Sequence, residues 1–100
     1  MRLDERFQCL HPDPGKEAPR ISADKYHLIR KILLEVIPSG EQGVSFSGLD
    51  QRVAQHLTQE QIAGLGSVGW YTTVVKLDLE ARGEIERLPG VKPQLIRRIR

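Results

Sequence analysis

The sequence predicts an α+β fold that is mostly helical, with a three-helix core, a C-terminal two-stranded β hairpin and an irregular N-terminal hairpin or arm. Three segments place apolar residues at helical spacing behind capping residues. A glycine after the third segment leads into two extended segments around a Pro-Gly turn. We expect one domain over residues 1–100, made of an arm (1–21), a helical core (22–82) and a hairpin (84–99).

The N-terminal arm has the least regular pattern. Residues 6–10 indicate a short strand, two prolines and a glycine set a loop, and residues 18–21 run back as a loose hairpin. Cys9 and His11 are metal-ligand types, but no second pair follows at ligand spacing. We therefore expect a half-buried thiol and a loop imidazole, with no metal and no cofactor.

The first two helices and a short turn of helix are marked by their caps. Ser22 starts the first helix, and Pro38 ends it. Residues 43–46 indicate a short strand, after which Ser47 is expected to cap the second helix with Asp50 as a weak capping-box partner. Thr58 and Gln61 form a further capping signature for a turn over 59–63.

The last helix begins at Ser67 and is apolar over a wide arc. Two adjoining apolar stripes have helical spacing. The first holds Trp70, Val74, Leu77 and Ala81, and the second holds Tyr71, Val75 and Leu79. A helix this apolar must be packed on more than one side. The remaining polar face is predicted to hold Thr72, Thr73, Lys76 and Glu80. Asp78 and Arg82 are four residues apart, in the order that favours an ion pair.

Gly83 ends this helix, and the hairpin follows. Residues 84–88 alternate as in a strand, Pro89-Gly90 forms the turn, and residues 94–99 return. Positive charge is concentrated here: residues 1–81 hold nine Lys/Arg and eleven Asp/Glu, whereas residues 82–100 hold six and two. A basic patch of this kind attracts an anionic polymer.

The composition limits the classes of protein. Apolar residues make up 39% and charged residues 28%, as in an ordinary globular domain. The single cysteine excludes an internal disulfide. No apolar run approaches the ~20 residues of a membrane span, and the first residues lack a secretory signal core. We expect a cytoplasmic protein without a membrane partner.

Residues 22–99 resemble a winged helix domain in the order helix, short strand, helix, helix and two-stranded wing. The segment GWYTTVVKLDLEARGEIERLPGVKPQ, together with LHPDPGK and ISADKY, is similar to a family of small prokaryotic proteins. The resemblance implies a winged helix-like fold in which the short strand pairs with the wing. That family lends no established activity and no catalytic residues.

Two functions remain open, and neither is enzymatic, since no nucleophile, base or metal set is found. As a DNA-binding transcriptional regulator, the protein would bind double-stranded DNA through the last helix and the wing. The candidate residues are Thr72, Thr73, Lys76, Arg87, Lys92, Arg97 and Arg98. Glu80 on the same helix would repel phosphate. Alternatively, the protein is a protein–protein interaction module or small homodimer that binds no nucleic acid.

Overall fold

The computed structural model describes residues 5–40, 43–88 and 94–99. Within these ranges, four helices and five strands follow the predicted α+β class, with the last strands after the helices. In chain order the elements are β1 (Arg6–Gln8), β2 (Arg20–Ser22), α1 (Ala23–Val36), β3 (Val44–Ser45), α2 (Leu49–Ala54), α3 (Gln59–Leu65), α4 (Val68–Ala81), β4 (Ile85–Arg87) and β5 (Leu95–Arg98).

The predicted N-terminal hairpin is present. Strands β1 and β2 pair antiparallel with Phe7 opposite Ile21, and the Cys9 N–H donates to the Pro19 carbonyl at 3.1 Å. The Phe7 ring stacks on Tyr26 of α1, with 3.7 Å between the ring centroids. The arm is therefore packed onto the helical core.

Helix α1 supplies much of the hydrophobic core. Its buried apolar side chains lie on one face and include Tyr26, Ile29, Ile32 and Leu33. They pack in a cluster with residues of α2, α4 and the C-terminal strands, among them Leu49, Val53, Val75, Leu79, Ile85 and Ile96. As predicted, the helix begins after Ser22 and ends before Pro38.

The prediction that Ser47 caps α2 is wrong. The N-cap is Gly48, at φ +82°, and the Ser47 N–H donates to the Ser45 hydroxyl at 3.1 Å. The chain turns through the left-handed region, which glycine adopts at low cost, so the helix starts one residue later than a serine cap would give. The capping box of α3 is confirmed, because the Thr58 hydroxyl accepts from the Gln61 N–H at 3.0 Å and the Gln61 side chain accepts from the Thr58 N–H at 2.8 Å. Helix α3 extends two residues beyond the predicted turn.

Helix α4 has the predicted limits. The Trp70 N–H donates to the hydroxyl of the N-cap Ser67 at 3.1 Å. After Ala81 the chain turns through Gly83 at φ +76°, which supplies the positive φ expected at the end of the helix.

The C-terminal strands form a three-stranded antiparallel sheet in the order β3-β5-β4. Ile96 of β5 lies opposite both Val44 of β3 and Arg87 of β4. The predicted pairing of the short strand with the wing is therefore confirmed. The Pro89-Gly90 turn lies outside the described residues.

Candidate interaction surface

The side of helix α4 that packs in the core combines part of the predicted Tyr71 stripe with part of the predicted polar face. Its buried residues are Thr72, Val75, Lys76, Asp78 and Leu79. Thr72 is only 1% exposed and Lys76 only 3%, while Thr73 is half-buried. The prediction of an exposed polar face is therefore wrong for Thr72 and Lys76. Charged groups can lie here because they have partners from elsewhere in the chain.

Lys76 belongs to a buried network beneath the sheet. Its ammonium lies 3.0 Å from Glu80 Oε1, donates to Gln94 Oε1 at 2.8 Å and sits 4.6 Å from the centre of the Phe46 ring. Arg87 of β4 contacts the same Glu80 oxygen at 2.8 Å. Burial lowers the pKa of Lys76, and the adjacent Glu80 partly opposes that change. The lysine therefore lies between the helix and the sheet and is withdrawn from the surface.

Asp78 is the buried centre of a second network. Its carboxylate accepts hydrogen bonds from the Tyr26 hydroxyl, from the Leu10 N–H at 2.8 Å and from Arg82 Nε at 2.9 Å. The predicted Asp78–Arg82 pair is thus confirmed, with the carboxylate in the core instead of on the surface. Burial, reinforced by the Asp78 charge, raises the pKa of the nearby Cys9 to about 11.

The outward side of α4 is apolar. A 100° step per residue places five residues opposite the buried row: Trp70, Thr73, Val74, Leu77 and Ala81. Trp70 is 48% exposed, and the other four are half-buried. We call this set the α4 outer face. Four of its five residues form the Trp70 stripe seen in the sequence. Within that stripe Val74 packs against the core cluster, and Trp70 is the most exposed residue.

A family model matches residues 6–96 of the chain. The chain belongs to this family of unknown function, DUF6958. No significant match was found among curated proteins or among solved structures.

In this DUF6958 chain the N-terminal arm borders the α4 outer face near the end of the helix. The Leu10 N–H is bound to Asp78 on one side of α4, and Pro12 and Asp13 line a shallow cavity with Glu80 on the other side. The arm therefore passes across the last turns of α4. Leu10 itself is 43% exposed and adds apolar surface at that end.

The wing arginines of the DUF6958 chain are held by acceptors within the protein. Arg87 contacts Glu80, and Arg97 contacts Glu86 at 2.8 Å. Arg98 Nε donates to the Ile37 carbonyl at 2.7 Å. Lys92, the remaining candidate of the basic patch, lies outside the described residues. The structure therefore brings these three arginines onto one small sheet, but each of them has a protein partner.

Across residues 5–40, 43–88 and 94–99, no three His, Cys, Asp or Glu side chains are grouped as a metal site would require. Among the same residues, no helix is both long and apolar enough to cross a membrane.

The sequence signal for the α4 outer face was the breadth of the apolar arc. Helical periodicity identified both apolar stripes, and Val75 and Leu79 of the second stripe are buried. It assigned Thr72 and Lys76 to a polar face, although both are buried as well. Only the tertiary partners of Lys76 and Asp78 decide which side is buried.

Proposed function

We propose that this protein is a winged helix-like interaction module that binds another protein through the α4 outer face. One observation carries the proposal: Trp70 on the outward side of α4 is 48% exposed, among apolar neighbours that the chain covers only in part. A helix that is apolar nearly all round needs a second partner. Exposed aromatic and aliphatic side chains on one rigid element are typical of protein-binding surfaces.

The arrangement of elements supports the winged helix part of the proposal. The order α1, β3, α2, α4, β4, β5, with β5 between β3 and β4, is the order that the resemblance implies. Helix α3 is an additional short element between the second and last helices of such a domain. In DNA-binding helix-turn-helix proteins the outward side of the recognition helix reads the major groove.

The chemistry of that outward side counts against base reading here. The α4 outer face carries one polar side chain, Thr73, and none of the Arg, Asn or Gln groups that distinguish base pairs best. Thr72 and Lys76 are buried. Inserting a tryptophan and a leucine into a groove lined with polar base edges would leave those edges without hydrogen-bond partners. The proposal assigns no catalytic activity to the protein.

Binding of double-stranded DNA is the second candidate, favoured by the charge of the C-terminal segment. Residues 82–100 hold six Lys/Arg against two Glu, and phosphate contacts need only cations. In this alternative the sheet arginines Arg97 and Arg98 and the wing residue Lys92 contact the backbone. Arg97 and Arg98 must then give up their partners within the protein to bind phosphate. The cost of losing those partners weakens the binding of DNA.

Site-specific photo-crosslinking tests the proposal. A benzoylphenylalanine is placed at Trp70 or at Leu77, and the matched control carries it at Lys31, an exposed position of α1. We expect covalent protein adducts of a defined mass from positions 70 and 77 in cells that express the protein, and only background from position 31. Equal labelling from all three positions, or none from 70 and 77, would overturn the proposal.

Fluorescence anisotropy with a random-sequence DNA duplex separates the two candidates. On the protein-binding proposal, the affinity is negligible near physiological salt, and Trp70→Ala does not change it. Tight, steeply salt-dependent binding that Arg97→Ala/Arg98→Ala weakens and Trp70→Ala leaves unchanged favours the DNA alternative.

A further inference from the structure

We propose that the cavity between the start of α2 and helix α4 binds a primary ammonium group, carried by a free alkylamine or by a lysine side chain. The cavity measures about 270 Å³ and is lined by Phe46, Ser47, Gly48, Asp50, Thr72 and Thr73. The inference goes beyond the proposed function and does not depend on it. It is carried by a buried hydroxyl without a partner, by a carboxylate without an ion pair and by the chemistry of the lining.

Thr72 is the buried part of the cavity wall, at 1% exposure. Among the residues that the structure describes, its Oγ1 is a buried side-chain oxygen without any hydrogen-bond partner. An unpaired buried hydroxyl is costly, and most such groups in proteins are paired. Because threonine in a helix has two favoured χ1 settings, a rotation brings this hydroxyl to a group that is bound in the cavity. The unpaired hydroxyl therefore points to a ligand.

Asp50 supplies a negative charge at the exposed side of the cavity. Its Oδ1 accepts from the Gln51 N–H at 3.0 Å. Its Oδ2 lies against the first turn of α4, where a Cβ added at Gly69 would be 3.4 Å away. Across residues 5–40, 43–88 and 94–99, no Lys, Arg or His forms an ion pair with this carboxylate. A carboxylate with lone pairs to spare attracts a cation that donates hydrogen bonds.

The ammonium group that the protein itself places near the cavity is bound elsewhere. Lys76 lies over the ring of Phe46, 4.6 Å from its centre. It is held by Glu80 at 3.0 Å and by Gln94 at 2.8 Å. The charge of Lys76 is therefore balanced by Glu80, and the charge of Asp50 is left for a ligand.

The lining of the cavity selects a hydrogen-bond donor with a positive charge. Carboxylate oxygens only accept hydrogen bonds, and the hydroxyls of Ser47, Thr72 and Thr73 accept as well as donate. A primary ammonium group offers three N–H donors to this set, and its alkyl stem has the Phe46 ring to pack against. An anion would be repelled by Asp50. A divalent metal ion is less suited, because Asp50 is the one carboxylate among the lining residues.

An NMR titration of the isotope-labelled, full-length chain tests the site. The probe is n-butylammonium chloride, and sodium butyrate at the same ionic strength is the control with the opposite charge. We expect saturable shifts of the amide signals of residues 47–50 and 72–73 with the ammonium probe only. The absence of saturable shifts, or equal shifts from both salts, would overturn the inference.

Two variants separate a ligand site from a structural role. Asp50→Asn should weaken the binding of butylammonium by about tenfold or more, and Thr72→Val by about three- to tenfold. Glu60→Gln, at an exposed position of α3, should leave it unchanged. Without the probe, Thr72→Val should keep or raise the midpoint of urea denaturation, because valine has a similar shape and lacks the unpaired hydroxyl. A lower midpoint would mean that the hydroxyl is structural and, like wild-type affinity in both cavity variants, would overturn the assignment.

A lysine derivative identifies the source of the ammonium group. Nα-acetyl-lysine N-methylamide carries the same group on a peptide-like stem. Tighter binding than that of butylammonium indicates a lysine side chain of a bound protein, and equal or weaker binding indicates a free alkylamine. Both results support the site. Failure of both probes would remove the site and leave the proposed function standing, because cross-linking from positions 70 and 77 tests that function separately.

Discussion

The hydroxyl of Tyr26 in α1 donates a hydrogen bond to the buried carboxylate of Asp78 in α4, joining residues 52 positions apart. The same carboxylate holds the N-terminal arm through Leu10 and is balanced by Arg82, which also lies over the Phe7 ring at 5.0 Å. One buried acid thus connects the first helix, the last helix and the arm. This connection fixes the rotation of α4 about its own axis, and with it the composition of the outer face.

Tyr26→Phe is expected to lower the free energy of unfolding by about 1.5–3 kcal/mol, the range for a hydrogen bond to a charged group. The phenylalanine ring can still stack on Phe7, so the decrease in the free energy of unfolding measures the contribution of the hydroxyl. Urea denaturation measures the change, with Tyr71→Phe, in a half-buried ring, as the matched control. A loss no larger than that of the control would mean that the Tyr26–Asp78 bond contributes little.

Asp78→Ala is expected to release the arm before it unfolds the core. The Leu10 N–H loses its acceptor, and Arg82 loses the group that holds it near Phe7, so the arm opens locally. Hydrogen exchange followed by NMR should show faster exchange at Leu10 and at Cys9, whose N–H donates within the arm. The exchange rates of the Val75 and Leu79 amides, in the buried part of α4, should change least. Uniform acceleration throughout the chain would contradict a local role.

The buried thiol of Cys9 should make the free energy of unfolding decrease at alkaline pH, and Cys9→Ala should remove that contribution. Burial, with the Asp78 charge, raises the pKa of its thiol from 9.0 to about 11. The folded state therefore keeps a proton that the unfolded state releases. The resulting stability is fully present below pH 9 and is lost as the pH rises toward 11. The free energy of unfolding should fall more steeply in the wild type than in Cys9→Ala, by at most about 1.4 kcal/mol per pH unit. Parallel pH profiles of the two proteins would contradict this.

Two glycines are expected to respond to alanine in opposite directions. Gly43 enters β3 at φ +64°, and a Cβ there would lie 2.8 Å from the Ile96 carbonyl oxygen. Gly43→Ala should destabilise the fold by more than about 1 kcal/mol, because the φ is strained and the sheet must move. Gly64 lies in α3 with open space around its Cβ position, so Gly64→Ala should stabilise by about 0.4–1 kcal/mol. Thermal unfolding of both variants measures the difference, and equal shifts would contradict the assignment.

Much of the fold could be predicted from local patterns. The caps at Thr58 and Ser67, the stop at Gly83 and the extended segments of the hairpin each depend on residues within a few positions of one another. The start of α2 was missed because Gly48 and Ser47 are both acceptable caps, and the turn that precedes them selects the glycine.

The orientation of α4 could not be predicted in the same way. Its apolar arc is so wide that either side is a plausible core face, and polar residues usually decide such cases in favour of solvent. Here Lys76 and Asp78 are buried because Gln94, Tyr26 and Leu10 satisfy them. These partners lie at least 18 positions away along the chain. Because a different side of α4 is buried, the outward side is the apolar α4 outer face and not the polar, DNA-contacting face that the sequence predicted.

Lys76 is a predicted DNA-contacting residue that the structure places in the core, at 3% exposure. Lys76→Met keeps the length of the buried stem and removes the charge, while Glu80 retains Arg87. We expect the free energy of unfolding to change by less than about 1 kcal/mol or to rise, because replacing a buried ion by an apolar side chain removes its desolvation cost. Lys76→Ala, which leaves a void beside Phe46, should cost about 2 kcal/mol. If Lys76 instead served DNA, Lys76→Met would weaken anisotropy-detected binding at low salt while leaving stability unchanged. On the interaction proposal, it leaves any residual DNA affinity as it is in the wild type.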